Sequence, residues 1–304
     1  MVAAEHVQGM STPAFHPYRS AEAREIYLTY YDSLAARQWP VTSEERMAPT
    51  SYGETFVRIT GPPAAPPLVL FPGAFTTSLM WAPNIRMLSD AFRTYAVDQI
   101  GDSGRSTCTR PVRSWEDLLG WMSDLFRALE LTHGINLAGM SFGGSLAAQY
   151  ALHYPERVAK VVLLAPGGTV LRFSTVFMAR LMFTAMSTRQ RLPAVVRWLF
   201  ADMARKDPLW IDETVELLSM NMRSLQKRQL PMPKVFTDAE WQRLKVPALF
   251  LAGEHETIYS PTKAVRRLKR VAPQVKTEII SGAGHDLTFA QAELVSRRVI
   301  DFLR

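Results

Sequence analysis

Apolar residues in this chain are arranged in two ways, and the alternation between them organises its length. Short runs at Leu68–Phe71, Val161–Ala165 and Ala248–Ala252, and at Ile135–Ala138 where only Asn136 interrupts, have the size and composition of buried strands. Between such runs, apolar positions recur every three or four residues. In Ser145–Tyr154, for example, Leu146, Ala147, Tyr150 and Ala151 share one helical face, and Pro155 ends the run. Ser114–Leu131 reads as another helix, Thr94–Val97 and Lys276–Ile280 as further strands, and Met47–Ser51 with Glu54–Thr60 as two strands around a tight Tyr52-Gly53 turn. Near the start, Ser20 can cap an accessory helix over Ala21–Gln38, with Ile26, Tyr27, Tyr30, Tyr31 and Leu34 at helical spacing and Pro40 as its stop. Residues 1–19 are polar and irregular and are expected to fray.

The alternation breaks once. Residues 169–236 hold three helix-like runs, Val170–Met186, Pro193–Ala204 and Ile211–Lys227, and no strand pattern. The strand and helix order resumes at Trp241–Leu244, Ala248–Ala252, Lys263–Val271, Lys276–Ile280 and Thr288–Leu303. The pattern predicts an α/β fold with about eight mostly parallel strands, helices on both faces and a functional site at the strand C-termini. Its core spans 20–168 and 237–304, and 169–236 is an inserted helical cap.

Chemistry concentrates where the strand at Ile135–Ala138 meets the helix beginning near Ser145. There Gly139, Ser141 and Gly143 form GxSxG, which forces a serine into a sharp strand-to-helix turn and projects its hydroxyl beyond the sheet edge. Glycines flanking that turn let strand and helix approach closely, and Gly144 extends the permission. In this context the chain resembles an α/β-hydrolase of the serine esterase type over roughly residues 20–304. The resemblance implies the α/β-hydrolase fold, with Ser141 as nucleophile.

A serine hydroxyl needs an imidazole to take its proton and a carboxylate to orient that imidazole. His285, in the loop Ser281–Leu287 before the last helix, stands where the family carries its histidine; His255 is the rival among six histidines. No Asp or Glu occurs between Glu156 and Asp202, so the acid falls in the loop after Ala252. The family's Asp comes three residues after Gly253, at Glu256, and this chain departs by using Glu; Glu254 is the alternative. The family's oxyanion donors map onto the amides of Ala74 and Phe142, with Pro72 where a histidine is usual. The segment Gly101-Asp102-Ser103-Gly104 resembles the nucleophile segment of chymotrypsin-like proteases, but it continues as Arg105-Ser106 within an α/β pattern and is read as coincidence, with Asp98 and Asp102 structural.

The resemblance implies hydrolysis of a carboxylic ester through an acyl-enzyme. Thioester, lactone and C–C hydrolysis or cofactor-free perhydrolysis on the same triad remain open, as does a ligand-binding protein on this scaffold. Ser141 at the nucleophile position argues against dehalogenase or epoxide hydrolase chemistry, which uses Asp there. In the insertion, Met178, Met182 and Met186 recur at spacing four beside Phe173, Phe177 and Phe183. Phe177, Met178 and Met182 are the candidate walls for a small to medium apolar ester, on a helix expected to bury two faces.

Charge and composition exclude several other classes. Seven Lys or Arg and no acid lie between Arg157 and Ala201; removing those seven from 35 leaves 28, equal to the 28 acids. No nucleic-acid module accompanies the excess, which reads as a solvated basic face. His255-Glu256 lacks the second histidine of a metal-binding HExxH, and Gly282-Ala283-Gly284 lacks the third glycine of a dinucleotide loop, so neither metal nor cofactor is implied. A lone Cys108 rules out an internal disulfide. Without a secretory pattern or a spanning apolar stretch, the cytoplasm is the expected location; oligomeric state is left open.

Overall fold

The computed structural model describes residues 16–186, 192–226 and 230–304, with the side chains of 184–186 outside that description. Nine strands form one sheet in the order β1-β2-β4-β3-β6-β7-β8-β9, with the short β5 (Thr107–Cys108) pairing β2. β1 (Glu44–Thr50) and β2 (Gly53–Thr60) form an antiparallel hairpin at one edge, and β2 also runs antiparallel to β4 (Arg93–Val97). β3 (Pro67–Phe71), β4, β6 (Ile135–Met140), β7 (Val158–Leu164), β8 (Ala248–Gly253) and β9 (Lys276–Ile280) are parallel neighbours. The two-residue β5 has no periodicity to betray it, which is why the sequence pattern misses it.

Side chains alternate across the parallel strands, and the alternation builds two cores. Val69, Phe71, Leu137, Val161, Leu163 and Phe250 face one side, where α3 (Trp115–Ala128), α4 (Phe142–His153) and α10 (Pro261–Val271) pack. Leu68, Leu70, Ala138, Val162, Leu164 and Leu251 face the other, under α2 (Ala82–Ala91) and α12 (Ala292–Leu303). Each fully buried Val, Leu or Phe among them contributes about 1.5–3 kcal/mol relative to exposure. After β3 the chain crosses to β4 on one side; after β4 it returns to β6 on the other. The crevice between β3 and β6 is therefore the switch point at which open parallel sheets place ligands.

Between β7 and β8 lie α5 (Thr175–Met186), α6 (Leu192–Leu199), α7 (Ala201–Lys206), α8 (Pro208–Ser224) and α9 (Asp238–Arg243). The first helical run starts five residues later than its periodicity suggests. Ser174 caps it, with Oγ accepting from the Phe177 amide at 3.1 Å, and the amide of Ser174 is itself drawn to the Ile258 carbonyl. The second run is divided at Phe200, whose φ of −111° and ψ of 45° leave helical geometry. The third begins at Pro208, with Asp207 accepting from the Trp210 amide at 3.0 Å; its expected end, Lys227, lies outside the described residues. Thr288–Leu303 is likewise two helices, α11 (Leu287–Ala290) and α12, separated at Gln291.

The fraying expected of residues 1–19 does not hold at its C-terminal end. Tyr18 is fully buried and its hydroxyl donates to the Gly104 carbonyl at 2.7 Å, while Arg19 reaches the Leu225 carbonyl. Residues 1–15 are outside the description. Tyr18 joins Tyr27, Tyr31 and Leu34 of α1 (Ala21–Gln38) in a third apolar cluster against α8, so this segment is part of the packed fold. Among the described residues no helix is long and apolar enough to cross a membrane.

Candidate active site

Ser141 sits between β6 and α4 with φ 53° and ψ −115°, a strained conformation for a residue with a side chain. Its amide donates to the Leu164 carbonyl at 2.9 Å, and its carbonyl accepts from the amides of Ser145 and Gly167 at 3.2 and 2.9 Å. The flanking glycines are steric necessities: a Cβ on Gly139 would lie 2.1 Å from the Gly143 carbonyl oxygen, and one on Gly143 2.3 Å from that of Phe71. The tightness of the turn strains the serine and projects its side chain. Gly73 and Gly167 approach it from two sides, where added Cβ atoms would lie 3.6 Å from Ser141 Cβ and 3.5 Å from Ser141 Oγ respectively.

His285 and Glu256 come from the loops after β9 and β8. The His285 Nδ1–H donates to Glu256 Oε2 at 2.9 Å, with both side chains almost wholly excluded from solvent. An ionised carboxylate only accepts, so this bond assigns the proton to Nδ1 and leaves Nε2 with a lone pair. The other carboxylate oxygen of Glu256 accepts the amides of Thr257 and Ile258 at 2.8 and 2.9 Å. Glu254 is exposed and meets the amide of Gly282 at 3.3 Å, so geometry pairs Glu256 with the imidazole. The rival His255 is half-exposed and bonds Asp202 of α7 at 3.1 Å.

These loops are fastened to one another and to the serine turn. The amides of Glu254 and His255 donate to the carbonyls of Ile280 and Ala283. Asp286, next to the imidazole, accepts the amides of Gly284 at 3.0 Å and Met203 at 2.7 Å; burial raises its carboxyl pKa despite those donors. Thr288 Oγ donates to the sulfur of Met140 at 3.2 Å, which brings the histidine loop onto the residue preceding Ser141.

The third loop follows β3. In the parallel register Phe71 lies opposite Gly139, so the Pro72-Gly73-Ala74 turn emerges beside Ser141. Phe75 adopts a left-handed φ of 61°; its amide donates to Asp102 at 3.1 Å, and its carbonyl accepts from Asn221 of α8 at 2.7 Å. The Ala74 amide makes no hydrogen bond within the described chain, and Phe142 supplies the first amide of α4. Among the described residues no group of three His, Cys, Asp or Glu could hold a metal ion.

A family model described as "Alpha/beta hydrolase family" matches residues 68–298. The chain belongs to the alpha/beta hydrolase family. A relative named carboxylesterase YbfK, from Bacillus subtilis, is 35% identical and is covered over 93% of its length by 91% of this chain. The crystal structure of naproxen esterase from Bacillus subtilis superposes with a TM-score of 0.86 at 32% identity, covering 94% of this chain and 99% of that one. That of carboxylesterase CesB (YbfK), also from Bacillus subtilis, gives 0.83 at 33%, covering 93% and 98%.

In this hydrolase the sequence-derived candidates are brought together unevenly. Ser141, His285, Glu256 and Ala74 lie on loops at the C-terminal end of the sheet, and Phe142 opens α4 there. Phe177 is half-buried against Phe173, ring centroids 5.2 Å apart, and Phe173 lies beside Gly167 next to Ser141. Met178 and Met182 lie elsewhere on α5, 36% and 62% exposed, so this helix does not bury two faces as its composition suggested. The reason is tertiary: α5 meets the core through Phe177, beside Phe173 of the preceding segment, and otherwise packs mainly along α6. The Met186 side chain lies outside the described residues. Sequence reasoning missed Phe173 as a neighbour of the serine and missed Asn221 altogether; a lone Asn on an amphipathic helix carries no local signal.

Proposed function

We propose that the chain hydrolyses carboxylic esters through an acyl-enzyme on a Ser141–His285–Glu256 triad. The observation that carries this reading is the buried His285–Glu256 hydrogen bond on loops fastened to the Ser141 turn. Relatives named as carboxylesterases, similar over more than nine-tenths of the chain, support the same class. In the first step Ser141 Oγ attacks the ester carbonyl carbon and its proton passes to His285 Nε2. Negative charge then develops on the carbonyl oxygen, where the amides of Ala74 and Phe142 stabilise it. Collapse breaks the C–O bond, and the departing alcohol takes the proton from Nε2. Water attacks the acyl-enzyme, giving one proton to Nε2; the carboxylic acid leaves and Ser141 Oγ is reprotonated. Glu256 holds the imidazole in the required tautomer and stabilises its charged form.

The helices of 169–236 act in this reading as a cap over a core made of 20–168 and 237–304. The acyl or alcohol group would lie against Phe173 and Phe177, with Met178 and Met182 reached only by longer chains. The preferred substrate is then a small to medium apolar ester, and the chemistry requires no cofactor. Labelling with a fluorophosphonate, followed by turnover of a p-nitrophenyl ester series and matched thioesters, tests the proposal. Covalent label on Ser141 and ester turnover are expected. Failure of both would leave a ligand-binding scaffold, and a strong thioester preference would change the substrate class.

A further inference from the structure

Asn221 lies on α8, far from the serine turn in sequence, yet its side chain reaches the loop after β3. Its Nδ2 donates to the Phe75 carbonyl at 2.7 Å, and the residue has no solvent exposure. Its Oδ1 is buried with no partner in the described chain. A buried amide with one bond made and one acceptor orphaned is a poor stabilising device, since an apolar residue of the same shape would only exchange the unpaired Oδ1 for a Phe75 carbonyl without its donor. The bond it does make falls where conformation matters. Phe75 is in the left-handed region at φ 61°, and its amide is held from the opposite side by Asp102 at 3.1 Å. The Gly73 amide is held by the Met80 sulfur at 3.1 Å. The Ala74 N–H thus lies between two fixed points, one of which depends on a residue of the inserted helices.

We propose that Asn221 is a positioning residue for the oxyanion site. By holding the Phe75 carbonyl it keeps the loop in the strained conformation that aims the Ala74 amide at the developing negative oxygen. This rests on the ester-hydrolase reading above and extends it, because it makes α8 part of the transition-state machinery as well as a cover.

The test uses the full chain with Asn221→Leu, which removes the donor together with the orphaned acceptor, and Asn221→Gln as a conservative variant. Three quantities are read: kcat and KM on a short soluble ester, inhibition by a trifluoromethyl ketone whose hemiketal with Ser141 carries an oxyanion, and the thermal midpoint. For Asn221→Leu we expect kcat to fall roughly 10- to 100-fold, short of the loss from deleting a donor outright. KM should change less than threefold, ketone affinity should weaken by the same factor as kcat, and the thermal midpoint should shift little. Asn221→Gln should recover part of kcat. A kcat within threefold of the parent overturns the proposal, as does a loss of activity that tracks a lowered thermal midpoint with ketone affinity unchanged. If the ketone fails to inhibit the parent protein, or Ser141→Ala keeps its activity, it is the ester-hydrolase reading that fails.

Discussion

Replacing Glu256 by Gln changes one atom's chemistry and should disable the imidazole through geometry already in place. The carboxylate uses its two oxygens differently. Oε1 accepts the amides of Thr257 and Ile258 at 2.8 and 2.9 Å, and Oε2 accepts from His285 Nδ1 at 2.9 Å. A glutamine has one oxygen to divide between these positions. If the oxygen stays at the two amides, the NH2 faces Nδ1. The imidazole must then turn its proton to Nε2, where it can no longer accept from Ser141. If the amide flips, two buried N–H donors lose their acceptor, at about 1–3 kcal/mol each. The competent arrangement therefore lies about 2–6 kcal/mol above the incompetent one, and its population falls to roughly 4 × 10⁻² to 5 × 10⁻⁵, with each factor of ten worth about 1.4 kcal/mol. Steady-state kcat/KM for a short p-nitrophenyl ester at pH 7 should drop by that factor, while the thermal midpoint and the fold stay close to those of the parent. Glu254→Gln, at an exposed residue bonded to the Gly282 amide, should cost less than threefold. The reasoning is refuted if Glu256→Gln retains activity within tenfold of the parent, or if Glu254→Gln is the more damaging of the two.

Three further outcomes follow from the same coordinates. Ser141→Ala should abolish turnover by about 10⁴ or more, whereas Ser141→Gly, equally inactive, should unfold at higher denaturant than the alanine variant because glycine tolerates φ 53° and ψ −115° without the strain of about 1–3 kcal/mol; equal midpoints would show that the turn is unstrained. Phe177→Ala should lower kcat/KM for longer acyl chains by about 1 kcal/mol per methylene of lost contact and leave an acetate ester nearly unchanged, with Met182→Ala following the same trend on the longest chains; uniform losses across chain length would assign these residues to packing alone. At the start of α3, burial pushes the Asp117 carboxyl pKa up, but the amides of Arg113 and Ser114 outweigh it and hold the value below the usual range. A depressed folded pKa gives stability that is present above the unfolded value and lost as pH falls through the folded one. Asp117→Asn should thus cost about 0.5–1 kcal/mol at pH 7 and progressively less towards pH 3, as read from urea midpoints; a penalty independent of pH would remove the charge from the explanation.

Much of the architecture was legible in the sequence because it is written in local patterns. The apolar runs at Leu68–Phe71 and Val161–Ala165 marked strands because burial on both sheet faces requires unbroken hydrophobicity, and Gly139, Ser141 and Gly143 marked the turn because a Cβ at either glycine would collide with backbone. His285 and Glu256 were pointed to by the resemblance to serine esterases, and each lies on the short loop that follows a parallel strand. Long-range placement could not be read in this way. The choice between Glu254 and Glu256 depended on which carboxylate a distant loop would meet, and the exposure of Met178 and Met182 depended on how many neighbours α5 finds once folded. Tyr18 was hidden within a polar stretch until Gly104 supplied a partner. Asn221 was silent because its meaning is a single bond across 146 residues to the carbonyl of Phe75. Periodicity and steric punctuation record which surface each element buries, while contacts between loops are decided only when the sheet has brought their ends to one edge.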